Sequence, residues 1–186
     1  MPHPAVPPFS AAAVTLFLAL AACGPMQPFG PAAPPPPPMP VAPPQTVGPR
    51  DTAFITDASS ELIATAELSR VASTHARTAR LRELAQRITS ASDATNAKLR
   101  ALAAVKDVAP PTELGQDDLL AQQMVASAKP GEFDRAFLDA VGPHQERLVS
   151  LFSAASQSAD PDIKALAAGA LPGLKTDLDA LARAAK

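Results

Sequence analysis

The chain has 186 residues, 18% of them charged, with a net charge of -2, the size of one ordinary globular domain with extensions. No basic excess points to nucleic acid as a partner, and no acidic block suggests a cation-holding tail. Aromatic residues are only 4% and all of them Phe, which removes the Tyr and Trp platforms on which bases and sugars stack.

Residues 11–20, AAAVTLFLAL, form an apolar run of signal-peptide length, too short to span a bilayer as a helix. The segment before it has no Lys or Arg. The run leads directly into Leu20-Ala21-Ala22-Cys23, with Cys23 the single cysteine of the chain, so no intramolecular disulfide can form. These residues resemble the lipobox of bacterial lipoproteins. The resemblance implies that residues 1–22 are a signal peptide and that the Cys23 thiol receives a diacylglycerol. By the same resemblance, Gly24 after the cysteine is compatible with sorting to the outer membrane, facing the periplasm.

Residues 25–49 hold a dozen prolines and two glycines, so no helix or sheet ladder is expected there. Such a disordered linker favours polyproline II and acts as a semi-rigid spacer, about 3.1 Å per residue, or on the order of 75 Å if fully extended. A Pro-rich ligand for an SH3-type groove is the other reading, but no Lys or Arg flanks the prolines before Arg50. Residues 23–50 are therefore read as the lipidated cysteine and a linker, and 51–186 as the folded domain.

The domain is expected to open with Asp51 as N-cap, followed by a stripe of Phe54, Ala58, Leu62, Thr65, Leu68 and Ala72 at helical spacing. A second helix is predicted over about 78–105, with Leu81, Leu84, Ile88, Ser92, Thr95, Leu99 and Leu102 inward. Arg70, Arg77, Arg80, Arg82 and Arg87 are read as a solvated face, and His75 as a partner for a helix C-terminus. Paired prolines at 110 and 111 break the pattern, and a short helix is predicted over about 117–128. A third long helix starts near Glu132 and lines Phe133, Phe137, Val141, His144, Leu148, Leu151 and Ala155 inward. Pro143 within it predicts a kink or two abutting pieces. The last helix begins with Asp160 as cap and Pro161 at its first position. Its stripe runs from Ile163 through Leu174, Asp177 and Leu178 to Leu181, with Pro172 a second predicted kink. Four long amphipathic helices plus a short one, with no strand signal, predict an all-α four-helix bundle.

Thr65, Ser92, His144 and Asp177 each fall on the apolar stripe of a different long helix, which predicts a polar layer across the core. Bundle cores build dimetal sites from carboxylates and Glu-x-x-His pairs, but no Glu-x-x-His occurs in this sequence. His144 and Asp177 alone supply two ligands, short of the three or four of a zinc site. The prediction is a hydrogen-bonded network without a cofactor.

The segments DTAFITDAS, AELSRVAS, LRELAQRI, TNAKLRALA, EFDRAFLDAVGPHQERLVSLF and DIKALAAGALPGL together resemble the bacterial domain of unknown function 4142 family over residues 51–183. The resemblance implies a ferritin-like four-helix bundle located in the cell envelope. That family usually carries acidic residues on helix one, Asp-His pairs on helices two and three, and a histidine on helix four. By resemblance those histidines fall on Ser92, His144 and Asp177 here, and the acidic positions on Thr65 and Glu67, so most of the ligands are replaced. The sequence thus predicts a lipid-anchored, non-enzymatic envelope protein whose protein partner it does not name. The alternative is a ferritin-like metal-binding or redox protein with a reduced site around His144.

Overall fold

The computed structural model describes residues 47–186. The expected signal peptide, the lipidation at Cys23 and nearly all of the proline-rich linker lie outside the described residues. Five helices follow in order: α1 Pro49–His75, α2 Ala79–Val105, α3 Gln116–Ala126, α4 Phe133–Ala155 and α5 Pro161–Ala184. No strand occurs among the described residues. α1 starts three residues earlier than expected, with Gly48 as its N-cap in place of Asp51 and Pro49 at its first position. A proline costs nothing there, because its missing N–H would have been unpaired. Asp51 therefore sits in the first turn instead of capping it, and accepts a hydrogen bond from Ser158 Oγ at 2.8 Å.

Two of the other helices start on side-chain caps, α5 on Asp160 as expected and α2 on Thr78. Thr78 accepts from Leu81 N at 3.2 Å to start α2, and Asp160 accepts from Asp162 N and Ile163 N to start α5. Both internal prolines are accommodated within continuous helices, so α4 and α5 are not split into abutting pieces. The reason is their placement. Pro143 and Pro172 are exposed, and so are Asp139 and Ala168, whose carbonyls lose their partners. Those carbonyls can bond to water instead.

Two apolar clusters set the topology. One joins the start of α1 (Phe54), the end of α2 (Leu99), the end of α4 (Phe152) and the start of α5 (Ile163). The other joins Leu68, Leu81, Phe133 and Leu181 from the opposite ends of the same helices. α1 and α5 therefore run one way and α2 and α4 the other. The connection between α2 and α4 must travel the length of the bundle, and it carries α3. α1 packs on α2 and α4, α5 packs on α4, and α2 touches α5 most lightly, while α3 packs on α1 and α4. A full burial of each large apolar side chain contributes roughly 1.5–3 kcal/mol, and Ile55, Leu62, Phe137, Leu148 and Phe152 are completely buried.

Every residue of the four predicted stripes is buried or half-buried. α1 buries more than its stripe, including Ile55, Ser59, Ala64, Ala66 and Ser69. It has neighbours on three sides, and its Ala and Ser positions let them approach closely.

Candidate functional site

Thr65, Ser92, His144 and Asp177 are all buried, as their stripe positions required. They do not form one layer. No hydrogen bond joins any two of them, and His144 lies in one groove of the bundle while Ser92 and Asp177 lie in another.

His144 lies on the α1–α4 side, where α3 crosses. Its Nδ1 is 2.7 Å from Glu61 Oε2 of α1 and 2.8 Å from Arg147 Nη2, one turn further along α4. Arg147 Nε donates to the other carboxylate oxygen, Glu61 Oε1, at 2.6 Å. Nδ1 can serve only one partner at a time: protonated it donates to Glu61, and unprotonated it accepts from Arg147. Across the ring, Nε2 is 3.6 Å from Asp118 Oδ1 in the first turn of α3. Burial works to raise the Glu61 carboxyl, but the hydrogen bonds from His144 and Arg147 outweigh it and hold its pKa below the ordinary value of 4.5.

Further along α1, Glu67 accepts from Arg70 and from Gln122 of α3 at 3.3 Å. Arg70 also reaches Asp93 of α2 at 3.1 Å. Thr65, between these networks in sequence, is completely buried with its Oγ1 unpaired among the described residues. Gln145 next to His144 is satisfied on one side only: its Nε2 donates to the Leu174 carbonyl at 2.9 Å, and its Oε1 has no partner among the described residues.

Asp177 and Ser92 lie on the opposite, α2–α5 side. Arg87 donates to Asp177 Oδ1 through Nε at 3.1 Å and Nη2 at 2.9 Å, bridging the two helices. Ser92 and Asp177 both line a furrow of about 460 Å³ between α2 and α5. His144 and Asp177, the expected pair of candidate metal ligands, are thus held by different partners. Among the described residues no three His, Cys, Asp or Glu side chains converge on a point that could hold a metal ion. The chemistry of the His144 donor set agrees with that geometry. Glu61 and Asp118 address opposite nitrogens of the ring, so His144 and Asp118 would be the two residues to hold an ion, with Glu61 orienting the ring as in a carboxylate–histidine pair.

The paired residues Glu61, Arg147 and Arg87 were not singled out because each sits at the edge of a stripe, and Asp118 because the short helix was given none. The His-x-x-Arg spacing from 144 to 147 was the available signal, since residues three apart share a helix face. His75 ends α1 as expected, its Nδ1 3.0 Å from the Val71 carbonyl and its ring stacked on Phe133 at 5.7 Å.

Residues 36–183 match the family described as Domain of unknown function (DUF4142). The chain belongs to the DUF4142 family. Its fold is shared with two solved structures. A DUF305 fragment from Deinococcus radiodurans is 12% identical, with a TM-score of 0.64, covering 73% of this chain and 95% of that one. CopM in the Cu(II)-bound form is 17% identical, with a TM-score of 0.62 and the same two coverages, 73% and 95%. At such identities the likeness establishes the helical-bundle fold alone. No curated protein matches the chain. The DUF4142 domain thus has an all-α bundle with a closed ionic network on one side and a bridged furrow on the other.

Proposed function

We propose that this DUF4142 protein is a lipid-anchored component of the bacterial cell envelope, held at the outer membrane and facing the periplasm, that presents its bundle on a proline-rich spacer as a structural or binding module. The observation that carries the reading is Leu20-Ala21-Ala22-Cys23 directly after an apolar run and directly before the prolines of 25–49. A diacylglycerol on Cys23 would carry two acyl chains, enough for stable anchoring without a spanning helix. Among the described residues no helix is long and apolar enough to cross a membrane.

The polar centre favours a non-enzymatic role. Both Glu61 oxygens are occupied, by His144 and Arg147, and the His144 side chain is only 9% exposed, so the network offers little room for a substrate. Metabolic labelling with a palmitate analogue tests the anchor. The wild type is expected to take up label and Cys23→Ala to lose it; an unlabelled wild type refutes the proposal.

The bound copper in CopM and the Nε2 of His144 facing Asp118 at 3.6 Å support one other reading, a metal-binding bundle with a reduced site. His144 and Asp118 would be its ligands. Elemental analysis of untagged protein decides between the two: stoichiometric metal that is lost in both His144→Ala and Asp118→Ala would favour the metalloprotein.

A further inference from the structure

Two surfaces on opposite sides of the bundle lack a partner. The first is the outward face of α3. Leu119, Leu120 and Met124 are 42%, 54% and 74% exposed, and Val125 is the only buried residue of that helix. Large apolar side chains grouped on one short helix mark a contact surface more often than isolated ones do.

The second is the furrow between α2 and α5. Ala91, Ala94, Ala165, Gly169 and Gly173 line it, and a Cβ placed on either glycine meets no atom within 4 Å. The glycines are therefore not needed for α5 to pack inside its own bundle, and they leave room for a close approach from outside. Ser92 lies in the furrow only 3% exposed, with no hydrogen bond from its hydroxyl among the described residues. A second hollow of about 620 Å³ continues the furrow towards the start of α2 and the end of α5. From Arg80 to Lys98 the whole runs about 27 Å at 1.5 Å per residue, against about 16 Å for the eleven residues of α3.

We propose that α3 of one copy of this chain docks in the α2–α5 furrow of a second copy. Size fits: the three large side chains of α3 meet a trough of Ala and Gly, as knobs enter a hole. Charge fits as well. α3 carries the exposed Asp117 and no Lys or Arg, whereas with the Arg87–Asp177 pair set aside the furrow is lined by Arg80, Lys98 and Arg183 against Glu83 and Asp134, a net basic lining. The exposed Gln123 amide, beside Met124, supplies a hydrogen-bonding group for Ser92. The proline segment of the same chain is a poorer occupant, because grooves that bind polyproline are lined by aromatic rings and this furrow has none.

The two surfaces belong to different sides of one molecule, so the contact is heterologous and propagates head to tail. A single short helix covers little area, which places the association in the weak, concentration-dependent class.

Cysteine crosslinking of the full-length chain in a Cys23→Ala background tests this. Met124→Cys and Ala165→Cys replace exposed side chains, the second lining the furrow one turn before Gly169 and leaving both glycines in place, so neither disturbs folding. Chains carrying one or the other are mixed and treated with a short bismaleimide. The mixture is expected to give a crosslinked pair several-fold above a control mixture of Ser153→Cys with Ala165→Cys, and a chain carrying both Met124→Cys and Ala165→Cys should give a ladder. Adding Leu120→Asp to the Met124→Cys chain should abolish the product while helicity by circular dichroism stays unchanged. A yield no higher than the control, a yield indifferent to Leu120→Asp, or Ala165→Cys pairing with itself as readily would each overturn the proposal.

Discussion

The α1–α4 groove and the α2–α5 groove are built from helices of nearly equal length, yet α3 lies over the first, and among the described residues nothing lies over the second. The polar residues follow that difference. Under α3, Glu61, His144, Arg147 and Asp118 form one connected network. On the open side a single Arg87–Asp177 pair spans the helices among the described residues, and Ser92 has no protein partner for its hydroxyl among them. An inward polar residue thus becomes part of a closed network where a further element covers it, and is left available where none does. Small residues line the open groove and large ones fill the closed core, so substitutions on the two sides should differ in size and even in sign.

The largest effect should come from the closed core. Phe137 is completely buried, and Phe137→Ala is expected to cost about 3–5 kcal/mol, because the surrounding helices cannot collapse into the space. Leu84 belongs to the same cluster but is 8% exposed and also borders the furrow. Leu84→Ala should cost nearer about 2 kcal/mol, the low end for such truncations, because its cavity opens to water. Urea denaturation of both variants checks the order. Equal losses would mean that the furrow is not an open boundary of the core.

α3 is held to the bundle mainly through Val125, which is 3% exposed. Val125→Ala should cost roughly 1–2 kcal/mol by lost burial, and the loss should be local. Amide hydrogen exchange in residues 116–126 is expected to accelerate, with the interior of α2 and α5 unchanged. Uniform acceleration across all helices would show that α3 is an integral part of the core and not a separable cover.

The network beneath α3 also makes a pH prediction. Glu61 has a folded pKa below its ordinary 4.5, so its contribution is present above that value and fades as pH falls through the depressed folded value. Glu61→Gln should therefore be less stable than wild type at neutral pH, and the two should converge in acid. A constant difference from neutral pH down to the acid limit would mean that the loss is one of packing and not of charge. Lys106 and Asp160, which tie the end of α2 to the cap of α5 at 2.5 Å, bracket the opposite extreme. The Asp160 and Asp162 carboxylates raise the Lys106 pKa, so the Lys106 contribution is lost as pH climbs through the raised value, while Asp160, lowered despite its burial by Lys106, loses its own as pH falls.

The inner faces of all four long helices were legible because helical spacing alone determines them, and Thr65, Ser92, His144 and Asp177 were correctly placed inward. Their grouping was not legible. Which helix α3 covers depends on the direction of the α2–α4 crossover, and no local pattern encodes that. Glu61 and Asp118 look like ordinary surface acids until α3 and α4 are brought beside α1. The start of α1 was misjudged for a local reason: Asp51 is a good cap by type, but Pro49 suits the first turn better than the linker it closes.

The smallest effect should be a gain. Gly169 and Gly173 lie inside α5 with open space beyond them, and a glycine in a helix interior is worse than alanine by about 0.5–1 kcal/mol. Each Gly→Ala change should therefore stabilise the domain by that amount, since the methyl touches nothing and the unfolded chain loses freedom. For a domain of this size the melting temperature should rise by about 2–4 °C per kcal/mol. A loss instead would place an atom from residues outside 47–186 against α5, and the furrow would then be filled by the chain itself. The gain has a counterpart in association. A methyl at 169 narrows the trough that receives Leu120 and Met124, so Gly169→Ala should raise the melting temperature while weakening the mixed crosslink. Packing within one chain and docking between two would then make opposite demands on the same position, which would explain why a helix retains glycines that its own fold does not need.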